Sequence, residues 1–267
     1  MRRFFTPLLA STVVSEAYTE LKFSWPNDLR RPLPGQFLSL GINSQPEVFL
    51  RRPFSLSGWD EAKRHVRILV QARGPASEAL CRMRPGEELD VLGPRGFPFP
   101  YTHSGPKQAA YLLVGGGIGI GPLLFAAQYL REKGEHVILC LGFREPWMIP
   151  LLSFPRDIVV HLSCEFGPLS PQIHQGKVLE LVKQVFHDVP IQEIWGCGPP
   201  GMLKALATMS QQNQLSCYVL MEEMMACAVG ACMGCAVAVR EEREYLRACT
   251  EGPVFDASLV DWEKLWI

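Results

Sequence analysis

Four cysteines near the C-terminal end of the chain have the spacing of ligands to an iron-sulfur cluster. Cys227, Cys232 and Cys235 stand in the order C-x4-C-x2-C, and Cys249 follows after thirteen further residues. Four thiolates with this spacing typically bind a [2Fe-2S] cluster. Most residues between the first three are alanine or glycine, which leave room for backbone N–H groups to approach sulfur. The pattern predicts a chain that carries electrons.

Zinc binding and disulfide formation fit this spacing less well. Zinc sites of four cysteines usually present two separated C-x2-C pairs, and this segment has one. Disulfide scaffolds are short secreted chains, whereas nine cysteines are spread here over 267 residues. Five lie in mostly apolar stretches, as buried thiols do. These five are Cys81, Cys140, Cys164, Cys197 and Cys217. We therefore expect a reducing compartment and a cytoplasmic protein.

Charge and hydropathy argue against nucleic acid and membranes as partners. The chain has 26 Lys and Arg against 27 Asp and Glu, a formal net charge of -1, which gives no basic footprint. The uncharged stretch 108–129 is long enough to imitate a membrane span, but glycines and Pro122 break its centre. The opening residues resemble a weak signal peptide that Thr6 and Pro7 interrupt, so a strand is favoured.

The pattern of turns and apolar residues divides the chain into three parts. Residues 1–103 contain short strands at 36–40, 52–57, 65–71 and 88–92 between Pro-Gly turns, which is typical of a small antiparallel β-barrel. Residues 107–222 alternate strands with helices, as an α/β domain with a parallel sheet does. Residues 223–267 hold the four cysteines, a predicted hairpin around 237–245, and a tail that includes Trp262 and Trp266.

Two turns in the α/β part have the character of nucleotide-binding turns. Residues 117–122 read G-I-G-I-G-P between a predicted strand and a predicted helix, where glycines let backbone approach a pyrophosphate and the helix offers free N–H groups. The alternative is a tight connection that binds no ligand. Cys197, Gly198 and Pro199 follow another strand. Ligands bind beyond the carboxyl ends of such strands, so both turns can face one nicotinamide nucleotide.

An arginine pair in the barrel part is a candidate phosphate site. The run Arg51-Arg52-Pro53-Phe54-Ser55-Leu56-Ser57 places a guanidinium beside a strand end, with hydroxyls and an aromatic ring close by, where a bidentate contact with a phosphate is possible. The alternative is a solvated pair of arginines on a strand edge. The six histidines are scattered and show no catalytic constellation with a serine or a carboxylate.

Taken in order, these motifs resemble those of the ferredoxin-NADP reductase superfamily. The resemblance is most specific to the electron-transfer subunits of NAD-dependent dihydroorotate dehydrogenase and covers nearly the whole chain. That family has R-P-x-S, G-G-G-I-G-x-x-P, M-A-C-G-x-G-x-C-x-G-C and C-x-x-G-P-V-F. The chain matches them at 52–55, 115–122, 225–235 and 249–255, with Ala228 in place of a family glycine.

The resemblance implies a barrel that binds FAD, an α/β domain that binds NAD, and a C-terminal [2Fe-2S] domain. The implied FAD-binding residues are Arg52, Pro53, Phe54, Ser55, Leu69, Val70, Gln71, Ala76 and Ser77. Those implied for NAD are Gly116, Gly117, Gly119, Cys197, Gly198 and Pro199. Ala76-Ser77 replaces a Gly-Thr pair of the family, and Gln71 stands where the family often has an arginine.

The function implied by the resemblance is electron transfer in pyrimidine biosynthesis. Hydride equivalents would pass between NAD and FAD, and single electrons would pass through the cluster, to or from a catalytic dihydroorotate dehydrogenase that is an FMN flavoprotein, in a hetero-oligomer. The alternative within redox chemistry is a diaphorase subunit of a hydrogenase, sulfide dehydrogenase or transhydrogenase complex. A non-enzymatic alternative is a redox-sensing or zinc-stabilised binding module. NAD against NADP stays open, since Arg144 can meet a 2′-phosphate or be simply exposed.

Overall fold

The computed structural model describes residues 2–42, 48–102, 109–151, 157–240 and 242–265. Its first part is a closed antiparallel barrel with strand order β1-β2-β5-β4-β3-β6. In β1, Phe4, Thr6 and Leu8 are buried between exposed neighbours, the period-2 pattern of a half-buried strand. The elements are β1 (Arg2–Val13), β2 (Tyr18–Ser24), β3 (Phe37–Gly41), β4 (Arg52–Asp60), β5 (His65–Gln71), α1 (Pro75–Arg82) and β6 (Glu88–Arg95). The predicted barrel is confirmed.

The second part is a parallel sheet with helices packed against it. Its central strand is buried at every residue, as expected for a strand covered on both faces. The elements are β7 (Ala110–Gly116), α2 (Ile120–Glu132), β8 (His136–Phe143), β9 (Val159–Cys164), β10 (Ile173–Gln175), α3 (Val178–Asp188), β11 (Ile191–Cys197), α4 (Pro200–Gln212) and β12 (Cys217–Leu220). The stretch that imitates a membrane span is largely β7, a short 3-10 turn and α2. In the part of the chain that the structure describes, no helix is both long and apolar enough to cross a membrane.

The C-terminal part is joined to this sheet by hydrogen bonds. Two short strands, β13 (Ala236–Ala238) and β14 (Tyr245–Arg247), form an antiparallel hairpin. A third, β15 (Val254–Asp256), pairs antiparallel with β12 at the edge of the sheet. The whole order is therefore β10-β9-β8-β7-β11-β12-β15. The sequence pattern does not predict β15.

Trp262 belongs to the interior of this C-terminal part. It is 6% exposed and packs in the same core cluster as Val237, Phe255 and Val260, and its indole N–H donates to the carbonyl of Ala257 at 3.0 Å. The sequence alone allows a C-terminal tryptophan either to contact a partner or to pack inside the cluster domain, and for Trp262 the structure shows internal packing. Trp266 lies outside the described residues.

Candidate redox site

The four predicted cluster ligands meet in two pairs. The side chain of Cys232 helps to lower the pKa of the Cys227 thiol, and that of Cys249 acts on the pKa of the Cys235 thiol, so each of these two pairs of side chains lies close together. A [2Fe-2S] cluster needs two protein ligands on each of its two irons, so two pairs of sulfurs are the arrangement that such a cluster requires. Among the described residues, no three His, Cys, Asp or Glu side chains converge closely enough to hold a single metal ion.

Backbone N–H groups of the cluster loop point at sulfur. Those of Val229 and Cys232 each lie 3.4 Å from Cys227 Sγ. The N–H of Val229 is the main cause that lowers the pKa of the Cys227 thiol to about 6, with further help from the Cys232 side chain and backbone. Burial acts oppositely on Cys235 and raises its pKa to about 11. The loop thus stabilises negative charge on its outer sulfur, as a thiolate ligand needs.

The cluster loop presents one ligand pair outward and the other inward. Cys232 is exposed, whereas Cys235 and Cys249 are 2% and 1% exposed. Around Cys232 the side chains of Met224, Val229 and Met233 are also exposed. We call these three the apolar rim. The inner pair therefore faces the body of the protein and the outer pair faces its surroundings.

Ala228, which replaces a family glycine, adopts a left-handed backbone conformation. Its φ is 54°, in the region that favours glycine, where a side chain costs roughly 1–2 kcal/mol. Its methyl group is buried at 2% exposure, which returns about 0.8 kcal/mol. The replacement therefore costs the fold on the order of 1 kcal/mol or less, by the difference of those two values.

The predicted flavin residues flank a gap in the barrel. The β4–β5 ladder ends where Leu56 pairs with Ile68. Arg52–Ser55 on β4 and Leu69–Gln71 on β5 lie beyond it, while the first of these segments pairs with β3 on its other side. Two diverging strand ends leave their facing backbone groups for a ligand. The two predicted flavin segments, one on β4 and one on β5, thus border the same opening between these strands.

The two arginines of the barrel run have different surroundings. Arg51 pairs with the buried carboxylate of Asp90 at 2.5 Å and donates to the carbonyl of Ser39 at 2.8 Å, so its role is to hold β3 and β6 together. Within the described residues, Arg52 donates to backbone carbonyls, of Leu50 at 2.8 Å and of Arg51 at 3.3 Å. Arg52 is the better placed of the two to meet a phosphate.

The residues predicted along β5 and at the start of α1 differ in what they can offer a ligand. The side chain of Val70 is fully buried in the barrel core, whereas Leu69 packs towards the α/β domain. Ser77 Oγ closes its own turn: it accepts the N–H of Arg73 at 2.9 Å and donates to the carbonyl of Gly74 at 3.0 Å. Ala76 lies in α1 and is not at positive φ, so the helix does not need the glycine that the family has there.

The two predicted nucleotide turns pack directly on each other. A Cβ at Gly119 would overlap the carbonyl of Cys197 and lie 2.7 Å from the amide nitrogen of Gly198. One at Gly116 would lie 2.9 Å from Pro199. The sequence-based reason for Gly119, backbone approach to a pyrophosphate, is therefore incomplete, because the space of its missing side chain is filled by the second turn.

Gly117 has the opposite surroundings and opens towards the barrel. Its φ is +55°, and the nearest atom to a Cβ there would be the hydroxyl of Tyr18 at 3.9 Å. Tyr18 and Ser57 are buried, and among the described residues their hydroxyl oxygens have no hydrogen-bond partner. Burial raises the pKa of Tyr18 to about 12, so it stays a neutral donor. Orphaned buried hydroxyls between a barrel and a nucleotide turn fit a polar ring system as ligand.

Sequence reasoning missed Tyr18 as a site residue, and it included Ser57 only as one hydroxyl of the arginine-containing run on β4. A β-strand residue such as Tyr18 carries no local signal of its function. Ser57 has one weak signal, its position two residues after Ser55, which places both on the same strand face.

Comparison with known protein families identifies the C-terminal part. Residues 222–261 match the family described as the iron-sulfur cluster binding domain of dihydroorotate dehydrogenase B. Among solved structures, an NADH-dependent reduced ferredoxin-NADP oxidoreductase superposes with a TM-score of 0.82 at 24% identity, over 97% of this chain and 91% of that one. Phthalate dioxygenase reductase superposes with a TM-score of 0.63 at 17% identity, over 90% and 87%. Both likenesses show the fold.

Sequence relatives cover almost the full chain. The dihydroorotate dehydrogenase B (NAD(+)) electron transfer subunit of Caldanaerobacter subterraneus subsp. tengcongensis is 38% identical over 93% of this chain and 94% of its own length. The subunit of the same name from Shouchella clausii is 35% identical over 83% and 84%. At this identity and coverage, the chain belongs to the family of dihydroorotate dehydrogenase B (NAD(+)) electron transfer subunits.

Proposed function

We propose that the chain carries electrons between NAD and a catalytic dihydroorotate dehydrogenase by way of FAD and a [2Fe-2S] cluster. The observation that carries this function is the meeting of four cysteines in two pairs on a loop joined to a ferredoxin-reductase-like body. FAD, when bound, supplies the conversion between the two-electron chemistry of a nicotinamide and the one-electron chemistry of a cluster. The nine cysteines, all of them among the described residues, form no disulfide, which supports a cytoplasmic location.

The residues of the chain bind and orient rather than exchange protons. We assign Arg52 to a flavin phosphate, the backbone beyond Leu56 and Ile68 to the flavin, and the buried hydroxyls of Tyr18 and Ser57 to the ring edge. The nicotinamide nucleotide is assigned to the turn at Gly117 and the N-terminal end of α2, where free N–H groups favour a phosphate. The name of the relatives, dihydroorotate dehydrogenase B (NAD(+)) electron transfer subunit, supports NAD over NADP.

Replacing Arg52 by alanine is expected to weaken FAD binding by about 1.5–3 kcal/mol, the range for a hydrogen bond to a charged group. Flavin fluorescence after gel filtration at low protein concentration measures the loss. Lys63→Ala is the matched control, because Lys63 is an exposed cation on the same barrel, in the turn between β4 and β5. Equal flavin retention in Arg52→Ala and Lys63→Ala would place the phosphate elsewhere.

The partner surface is proposed to be the apolar rim around Cys232. Co-expression with a dihydroorotate dehydrogenase flavoprotein should give a stable complex that reduces NAD with dihydroorotate, whereas the isolated chain should oxidise NADH only with artificial acceptors. Met224→Glu is expected to weaken the complex at least tenfold, about 1.4 kcal/mol, because it puts a charge into an apolar contact.

Leu151→Glu is the control for this variant. Leu151 is 89% exposed and Met224 is 86% exposed, so each substitution replaces an equally accessible apolar side chain by a charged one. Of the two residues, Met224 lies on the apolar rim and Leu151 does not. Equal binding by the two variants would contradict the rim assignment. If no complex forms with the parent chain and it instead serves a hydrogenase or a sulfide-linked partner, the diaphorase function replaces the one proposed here.

A further inference from the structure

One arginine of the barrel holds both arms of the cluster loop. Arg95, the last residue of β6, donates from Nε to the carbonyl of Ala228 at 2.8 Å and from Nη2 to the carbonyl of Cys249 at 3.2 Å. Ala228 follows Cys227 in the chain, and Cys249 belongs to the other cysteine pair. The planar fork of a guanidinium can hold two acceptors at once in fixed geometry. The side chain therefore ties the neighbour of Cys227 and the backbone of Cys249 to the same strand, β6.

The same arginine is close to the flavin side of the barrel. Arg95 pairs with Phe37 of β3, and Phe37 pairs with Ser55 of β4. Two strand spacings separate Arg95 from Ser55, roughly 10 Å between backbones. Arg95 thus stands between the strand that borders the flavin opening and the loop that carries the cysteines.

Neighbouring contacts make this junction tight. The amide of Phe97 donates to the carbonyl of Gly252 at 2.7 Å. A Cβ at Gly96 would overlap Pro253 and lie 2.9 Å from the carbonyl oxygen of Gly252. Three consecutive residues at the end of the barrel, 95–97, therefore lie against the C-terminal part of the chain that carries the cysteines. Such close packing leaves little room for the guanidinium to move away from the loop.

The charge of Arg95 bears on electron transfer as well as on structure. An arginine stays protonated at every relevant pH. A [2Fe-2S] cluster with four thiolate ligands is anionic and gains a further negative charge on reduction, and its potential depends on the charges and hydrogen bonds around it. A second arginine near the loop, Arg247, donates from Nη1 to the carbonyl of Gly230 at 2.8 Å and from Nε to Glu251 Oε2 at 2.9 Å.

We propose that Arg95 is a positioning residue that fixes the cluster loop on the flavin barrel and raises the reduction potential of the cluster. The proposal rests on the proposed function, because it requires a cluster on the four cysteines. The proposal assigns a role in tuning the cluster to a side chain that is not a ligand and that contacts the cysteine-bearing segments at two backbone carbonyls.

The test is a redox titration of the full chain with its cluster, followed by electron paramagnetic resonance of the reduced cluster. Arg95→Gln removes the charge and keeps an N–H donor, and it is expected to disfavour the reduced cluster about tenfold, which is about 59 mV for one electron. Arg95→Lys keeps the charge and loses the two-carbonyl clamp, so its potential should stay near that of the parent while its thermal stability falls. Lys183→Met removes an exposed charge from α3 and should leave the potential unchanged.

Each outcome decides between the proposals. A parent chain without a cluster overturns the proposed function. A parent with a full cluster and an unchanged potential in Arg95→Gln overturns the role of Arg95 alone. If Arg95→Gln does not retain the cluster, the test rests on Arg95→Lys, which keeps the positive charge. A reduction potential of Arg95→Lys that falls by about 59 mV, the amount expected for loss of the charge, overturns the proposal.

Discussion

Replacing any one of the four candidate ligands by serine is expected to prevent assembly of a complete cluster. The four positions are Cys227, Cys232, Cys235 and Cys249. Each substitution removes one thiolate from one of the two sulfur pairs, and an iron that loses a thiolate loses half of its protein ligands. Iron and acid-labile sulfide content, together with the visible spectrum, measure the effect. We expect the inner positions to be the most severe, because Cys235 and Cys249 are buried and a serine hydroxyl there also lacks water as a partner.

Cys197→Ser is the control for this series. Cys197 is buried at the end of β11, in the turn that packs on Gly119, and it is not one of the four cysteines with ligand spacing. Its serine variant should keep the full iron and sulfide content of the parent. Full cluster content in Cys232→Ser, or its loss in Cys197→Ser, would show that the ligand assignment is wrong.

Gly119→Val is expected to impair both NADH binding and the stability of the α/β domain. The valine side chain would overlap the backbone carbonyl of Cys197, which cannot turn aside as a flexible side chain can. Overpacking of this kind costs typically about 1–3 kcal/mol, and a clash with backbone places the cost at the upper end. Urea unfolding measures the stability, and stopped-flow reduction of the flavin by NADH measures nucleotide binding and reaction.

Gly201→Val separates the clash from the general effect of a β-branched residue near the turns. Gly201 lies in the first turn of α4, and nothing stands within 4 Å of a Cβ built there. This variant should lose little stability, well below that of Gly119→Val, because nothing obstructs the new side chain. Parent-like stability and parent-like reduction by NADH in Gly119→Val would refute the packing between the two turns.

The barrel and the alternating sheet could be predicted because their signals are local. The strand at 65–71 is bounded as predicted, and 52–57 and 88–92 differ from β4 and β6 only at their C-terminal ends, since alternation and Pro-Gly turns are written in neighbouring residues. The local spacing of the four cysteines also singles them out as candidate ligands, but it does not predict how they pair. By contrast, β15 has only three residues, and its existence depends on the open edge of β12 more than thirty positions earlier.

The parts of the site that could not be predicted all depend on distant contacts. Gly119 meets Cys197, and Arg95 meets Ala228 and Cys249, across separations that no periodic pattern reports. The two positions where the chain has alanine in place of a family glycine also differ in what the structure shows. At Ala76 the helix tolerates the change, whereas at Ala228 the left-handed backbone shows why a glycine is the easier residue there.

The pairing of β15 with β12 also bears on how a newly made chain matures. An uncovered strand edge is a template for association with other chains, and β12 would have such an edge until β15 arrives from a segment synthesised later. The same short strand follows Cys249 by only a few residues. Closing the sheet therefore draws the last cysteine towards its pair, so that shielding of the chain against aggregation and readiness to accept iron are reached in one late step of biogenesis.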